Sequence, residues 1–188
     1  MVDLYLAQGT LHFSGRPDWI EITYVCRYWR SAALSQPELW SFIIPRFSIS
    51  WSQAMVERSA PLPMRIDMQI GARFGDGLES LAASELLPSA SRIRTLRLLG
   101  YGADVLKVLN RFCSPSPLES LSIWMTGMGE PVDLPEALCD RDAPHFRRLT
   151  FETPACIRAP VWLLGVIHFT TSASVSLHEF LGTLQAMP

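Results

Sequence analysis

Gly100-x-Gly102, within LRLLGYGADVL, follows an apolar-alternating stretch and opens a helical one. Glycines so placed let a backbone approach a pyrophosphate held at a helix N-terminus, the chemistry of a dinucleotide-binding turn. The third glycine of that pattern is replaced by Val105, and the next apolar run, LESLSIW, ends without an acidic residue for a ribose. Glycine pairs are common in plain turns, so a turn is expected, with a nucleotide-binding α/β enzyme as the distant alternative. The histidines His12, His145, His168 and His178 lie apart, without a convincing acidic or nucleophilic partner nearby in sequence, and no GxSxG elbow is present. Nucleophilic catalysis is therefore not expected. Cys139, Asp140, Asp142 and His145 crowd the stretch LCDRDAPHF, yet no Cys/His pair has finger spacing and no calcium loop occurs. A solvated loop is expected there, and no catalytic, cofactor or metal residue is assigned.

The whole chain bounds the remaining possibilities. It has 188 residues, 48% of them apolar and 18% charged, enough for a sizeable core and too apolar for wholesale disorder. Sixteen basic against 18 acidic side chains leave a formal charge of -2, which gives no electrostatic case for nucleic acid or an anionic membrane. The longest near-apolar run, APVWLLGVIHF, is about half the roughly 20 residues of a membrane-spanning helix. The first residues, MVDLYLAQGTLHFSG, lack a basic n-region, a continuous apolar h-region and a small-residue cleavage site. Cys26, Cys113, Cys139 and Cys156 are spread without a CxxC, as suits reduced thiols. An intracellular protein of the cytoplasm or nucleus is the expectation.

The elements that must position any surface follow from periodicity. Residues 19–34, WIEITYVCRYWRSAAL, place Ile22, Val25, Cys26, Trp29, Ala32 and Ala33 at steps of three and four, predicting one amphipathic helix with Asp18 as its N-cap. Pro37 ends it, because proline disfavours helical geometry in the residue before it. The same proline suits the first turn of a short helix in PELWSFI, and WSQAMVERSA predicts another before PLP.

From residue 62 the texture changes to short alternating runs: LPMRIDMQI, IRTLRLLG, LESLSIW, FRRLTFE and LGVIHF. Four share one template, apolar-x-x-apolar-x-apolar: Ile93-Leu96-Leu98, Leu118-Leu121-Ile123, Phe146-Leu149-Phe151 and Leu164-Ile167-Phe169. Their starts are separated by 25, 28 and 18 residues. Leucine-rich repeats of about 20–29 residues carry this core, and they stack into one parallel sheet because no single unit can bury its inward residues. The spacing is irregular and the asparagine that usually follows the strand is missing, so the array is degenerate. GADVLKVLNRF (102–112) and LHEFLGTLQAM (177–187) are the predicted helical returns. A doubly wound α/β sheet is the competing topology. Arginines in RIR (92–94) and RRL (147–149) fall at alternating positions and put charge on the exposed strand face.

The N-terminal stretch VCRYWRSAALSQPELWSFI resembles an F-box, in which a helix ending Val-Cys-x-x-Trp-x-x-x-Ala precedes a Leu-Trp helix. Val25, Cys26, Trp29 and Ala33, then Leu39 and Trp40, stand in that register, with Ile22 one turn earlier. VERSAPLPMRI and the downstream LxxLxL units are similar to the linker and repeats of F-box proteins with leucine-rich repeats. The resemblance implies an α/β protein: a helical F-box segment at 1–47, a helical linker at 48–61 and an irregular leucine-rich-repeat-like solenoid at 62–188. It also implies a non-catalytic substrate receptor of a Skp–cullin–F-box ubiquitin ligase. Ile22, Val25, Cys26, Trp29, Ala33, Leu39 and Trp40 would bind the Skp-type adaptor or form the box's own core, and the repeats would hold a target protein. A repeat scaffold that no longer meets the adaptor is the alternative. F-boxes usually begin with Leu-Pro and a helix, where this sequence has only MVDLYLAQG. A shortened first helix contributing Leu4, Tyr5 and Leu6 is the expectation, together with an incomplete last repeat whose apolar end is exposed.

Overall fold

Strict alternation over five to eight residues permits a strand with one buried face, and the first four downstream runs supply such strands, while of LGVIHF only His168 and Phe169 lie among the described residues, in a strand. The computed structural model describes residues 18–45, 49–71, 87–112, 118–126, 132–133, 146–152, 157–158 and 168–171. The predicted helix at 177–187, the first residues, Cys139–His145, and the other cysteines and histidines apart from Cys26 and His168 lie outside them. The chain divides into two compact units, Met1–Ser35 and Gln36–Pro188.

In the first unit a 3₁₀ turn at Asp18–Glu21 leads into α1 (Ile22–Val25), and α2 (Arg27–Leu34) follows. The single helix expected over 19–34 is therefore interrupted. Cys26 is extended, with φ -161° and ψ 173°, and its carbonyl accepts from the Arg30 amide at 3.0 Å to start α2. The β-branched residues Ile20, Ile22, Thr23 and Val25 lower helix propensity just ahead of the break. Thr23 adds a bond from its hydroxyl to the Ile20 carbonyl at 2.7 Å, a backbone competitor that weakens helical continuity. Ser35 ends α2 by donating its amide to the Ser31 and Ala32 carbonyls.

The second unit is an α/β assembly. Gln36 is extended, as a residue before proline must be, and Pro37 opens α3 (Pro37–Trp40). Strand β1 (Phe42–Ile43) and helix α4 (Ile49–Arg58) come next. The main strands are β2 (Met64–Gln69), β3 (Ile93–Gly100), β4 (Ser120–Met125), β6 (Arg148–Glu152) and β8 (His168–Thr171). Helix α5 (Gly102–Phe112) crosses from β3 towards β4. Two-residue strands β5 (Val132–Asp133) and β7 (Ile157–Arg158) pair with each other, parallel, as a separate sheet.

All strands of the main sheet are parallel, in the order β1-β2-β3-β4-β6-β8. The order never reverses, so the described strands contain no switch point of the kind that divides a doubly wound sheet. Register carries the template across the sheet. Ile66, Leu96, Leu121, Leu149 and Phe169 form one column, and Met68, Leu98, Ile123, Phe151 and Thr171 the next. Ile66, Leu98, Ile123 and Phe151 are fully buried, each contributing about 1.5–3 kcal/mol of transfer free energy. Val105, Val108 and Leu109 form the buried stripe of α5, which packs on β3.

The fourth template copy is displaced from its expected place. Phe169, not Ile167, pairs with Leu149, so this unit sits two residues later along the chain. A two-residue slip keeps every side chain on its original face, and alternation alone cannot choose between the two registers.

Arg92 fastens α4 to the sheet. Its guanidinium donates to the Leu62 carbonyl at 2.9 Å, the Val56 carbonyl at 3.1 Å and Ser59 Oγ at 2.7 Å. The last turn of α4 thereby gains a cation at its negative end.

Candidate protein-docking surfaces

The residues of the F-box-like pattern occupy different environments. In the first unit Val25 is 68% exposed, Trp29 50% exposed and Cys26 exposed with a free thiol. Ile22 is half-buried and Ala33 buried. The break at Cys26 turns α2 relative to the single-helix expectation, and the apolar positions no longer share one buried stripe. Tyr24, Tyr28 and Leu34 are also exposed. Periodicity did not single out these last three, although exposed aromatic side chains are the usual anchors of protein interfaces.

Leu39 and Trp40 belong to the second unit. Leu39 is half-buried, while Trp40 is only 2% exposed. The Trp40 and Trp51 rings lie 5.7 Å apart at 49°, and the Arg58 guanidinium sits 4.4 Å over the Trp40 ring. Trp40 thus ties α3 to α4, a packing role. Phe42 and Ile43, inside the segment assigned to 1–47, hydrogen-bond with β2 as part of the main sheet.

The polar face of that sheet is the second surface. The Arg97 guanidinium faces Asp67 on the neighbouring strand, with Nη1 and Oδ2 3.8 Å apart, and sits 5.3 Å over the Trp124 ring. Arg65 sits 5.1 Å over the Phe42 ring, and its Nε is buried without a hydrogen-bond partner. Burial pushes the Asp67 carboxyl above the ordinary carboxylate range, against the pull of Arg97 and Arg65. Burial, then repulsion from Arg97, pushes Arg65 below its ordinary value. Both charges are held here at an electrostatic cost. Asp67, Gln69 and Ser122 are buried on this face, while Arg97, Trp124 and Thr150 are half-buried and Glu152 and Thr170 exposed. Thr95 and Ser120 are half-buried and Arg148 and His168 exposed, leaving the N-terminal row accessible. His168 faces solvent as its alternation with Phe169 predicts.

The glycine turn has a packing explanation. A Cβ on Gly100 would meet the Ile70 carbonyl oxygen at 2.6 Å, so glycine is needed where the ends of β2 and β3 converge. Gly71, with φ +129°, continues that crossing beside Tyr101. The first turn of α5 carries Asp104, paired with Lys107 at 3.0 Å. A carboxylate at that helix N-terminus occupies the electrostatic position a phosphate would need and repels one.

Among the described residues no group of three or more His, Cys, Asp or Glu is arranged to hold a metal ion, and no helix is long and apolar enough to cross a membrane. No protein-family model matches the chain, and neither a curated protein nor a solved structure matches it.

Proposed function

We propose that the protein is a non-catalytic substrate receptor of a Skp–cullin–F-box ubiquitin ligase. The helical segment at 18–35 docks on a Skp-type adaptor, and a degenerate leucine-rich-repeat domain presents a target protein. The observation that carries this reading is the exposure of Tyr24, Val25, Tyr28, Trp29 and Leu34 on two short helices. Leaving large apolar groups in water is unfavourable, and their concentration in so short a segment is what a partner surface would cover. The docked residues are then Val25, Cys26 and Trp29 together with the two tyrosines. Ala33 and Trp40 serve as core.

The repeat assignment draws support from three features: sequential parallel strands without reversal, one backbone register continuous across five strands, and the β5–β7 pair. In that pair each short strand follows a main strand at a comparable place in successive units, as a stacked array requires.

A repeat scaffold that does not engage the adaptor is the second reading. It is favoured by the burial of Trp40 in the sheet unit, with Leu39 half-buried beside it, which takes the Leu-Trp end of the F-box pattern, two of its seven residues, out of an exposed surface. Size-exclusion chromatography of the full chain mixed with purified Skp-type adaptor separates the two. Co-elution supports the receptor, and separate elution of two folded proteins supports the scaffold.

A further inference from the structure

The N-terminal row of the polar sheet face is basic in a chain whose formal charge is -2. In register across the strands it reads Arg65, Thr95, Ser120, Arg148 and His168, with no acidic residue. Asp67 lies in the following row opposite Arg97, which offsets it. Just ahead of the row, Glu119 is paired with Arg94 at 3.4 Å, and Arg147 adds another exposed cation. Neither Arg147 nor Arg148 has an ion-pair partner among the described residues.

Two strengths of anchor result. Arg65 is half-buried, and its guanidinium is held 5.1 Å over the Phe42 ring, which orients it before any ligand arrives. Arg148 and Arg147 lie three strands away, roughly 14 Å at about 4.8 Å per strand. The hydroxyls of Thr95 and Ser120 stand between as neutral donors. Guanidinium groups separated in this way, with hydroxyls between, suit carboxylates spaced along an extended chain. Arg favours such partners through bidentate pairing.

We propose that this row is a docking track for an acidic segment of a protein partner, whose Asp and Glu side chains lie across β2, β3, β4, β6 and β8. The inference deepens the receptor reading by naming the chemistry of the target. A peptide measured without the adaptor tests it separately, so failure here leaves adaptor binding untouched, and the reverse.

The experiment is fluorescence anisotropy of a labelled ten-residue Asp/Glu/Ser/Gly peptide titrated with the full chain. Lysine-substituted and uncharged peptides, and a single-stranded oligonucleotide, serve as comparators. The expected result is saturable binding of the acidic peptide that weakens with added salt. It should fall by about tenfold or more in an Arg147→Ser, Arg148→Ser double variant, whose side chains are exposed and whose circular dichroism should match wild type. Arg94→Ser, which removes a cation already paired with Glu119, should change affinity less. No binding of the acidic peptide by folded protein would overturn the proposal. So would equal affinity for the uncharged peptide, an unchanged double variant, or tighter binding of the oligonucleotide.

Discussion

Replacing Gly100 by alanine separates a packing role for the glycine turn from a ligand-binding one. The new Cβ would lie 2.6 Å from the Ile70 carbonyl oxygen and 3.1 Å from the Ile70 Cβ. Carbon–oxygen contacts settle at about 3.3 Å or more, so the end of β2 must withdraw by roughly 0.7 Å. That movement stretches the bond from the Ile70 amide to the Leu99 carbonyl, 2.7 Å in the native structure. Loss of much of one backbone bond costs about 1 kcal/mol, and overpacking a close contact about 1–3 kcal/mol. Gly100→Ala should therefore destabilise the protein by about 2–4 kcal/mol, measured by urea unfolding followed through tryptophan fluorescence. Gly102 opens α5 and is not among the positive-φ glycines, so Gly102→Ala should be neutral or stabilising by up to about 1 kcal/mol. A Gly100→Ala midpoint indistinguishable from wild type would refute the steric argument. Nucleotide binding by wild type, abolished at full stability by a bulky residue at 102, would refute the non-catalytic reading itself.

Arg92→Ala removes three hydrogen bonds to Leu62, Val56 and Ser59 and should cost about 2–4 kcal/mol, with Arg92→Lys recovering only part because an ammonium cannot reproduce the fork; thermal melts of the three proteins check this. Trp40→Ala should cost about 3–5 kcal/mol and Trp29→Ala less than about 1 kcal/mol, since one ring is buried and the other half in water; equal losses in urea unfolding would contradict the separation of core from surface. Asp67 has a folded-state pKa raised by burial, so the folded state keeps its proton at pH values where the unfolded chain has released it. Wild-type stability relative to Asp67→Asn should therefore rise as pH falls from that raised value towards the ordinary carboxylate value of about 4. A difference between the two proteins that is flat across that window would count against the burial account.

What could be read from residue types was mostly what depends on a single repeating rule. The alternating runs at 62–70, 93–100, 118–124 and 146–152 became strands because period two is a property of one strand alone, and Pro37 marked a helix start because its fixed φ acts on its neighbour locally. Two readings stopped where a choice between equivalent arrangements began. The slip that pairs Phe169 with Leu149 leaves facing unchanged, so only pairing with β6 decides it. The break at Cys26 had a local signal in the β-branched residues around it, but helical spacing of Val25, Cys26 and Trp29 fits an unbroken helix equally well. The candidate site divides in the same way. Trp29 and Trp40 are the same residue type in one sequence pattern, and their opposite burial arises from contacts with Trp51 and Arg58 that no local pattern encodes. Neither the contact of Gly100 with Ile70 nor the reach of Arg92 to α4 has a sequence signature, because each joins residues some 30 positions apart.

Adaptor docking is the central claim, and an equilibrium binding measurement tests it most directly. Purified Skp-type adaptor would be immobilised and titrated with wild type, Val25→Ala and Trp29→Ala proteins, each checked for unchanged urea unfolding. The account predicts saturable wild-type binding that weakens about thirtyfold in Trp29→Ala, the scale of an aromatic interface anchor. Absence of binding by folded wild type, or affinity untouched by both substitutions, would contradict it.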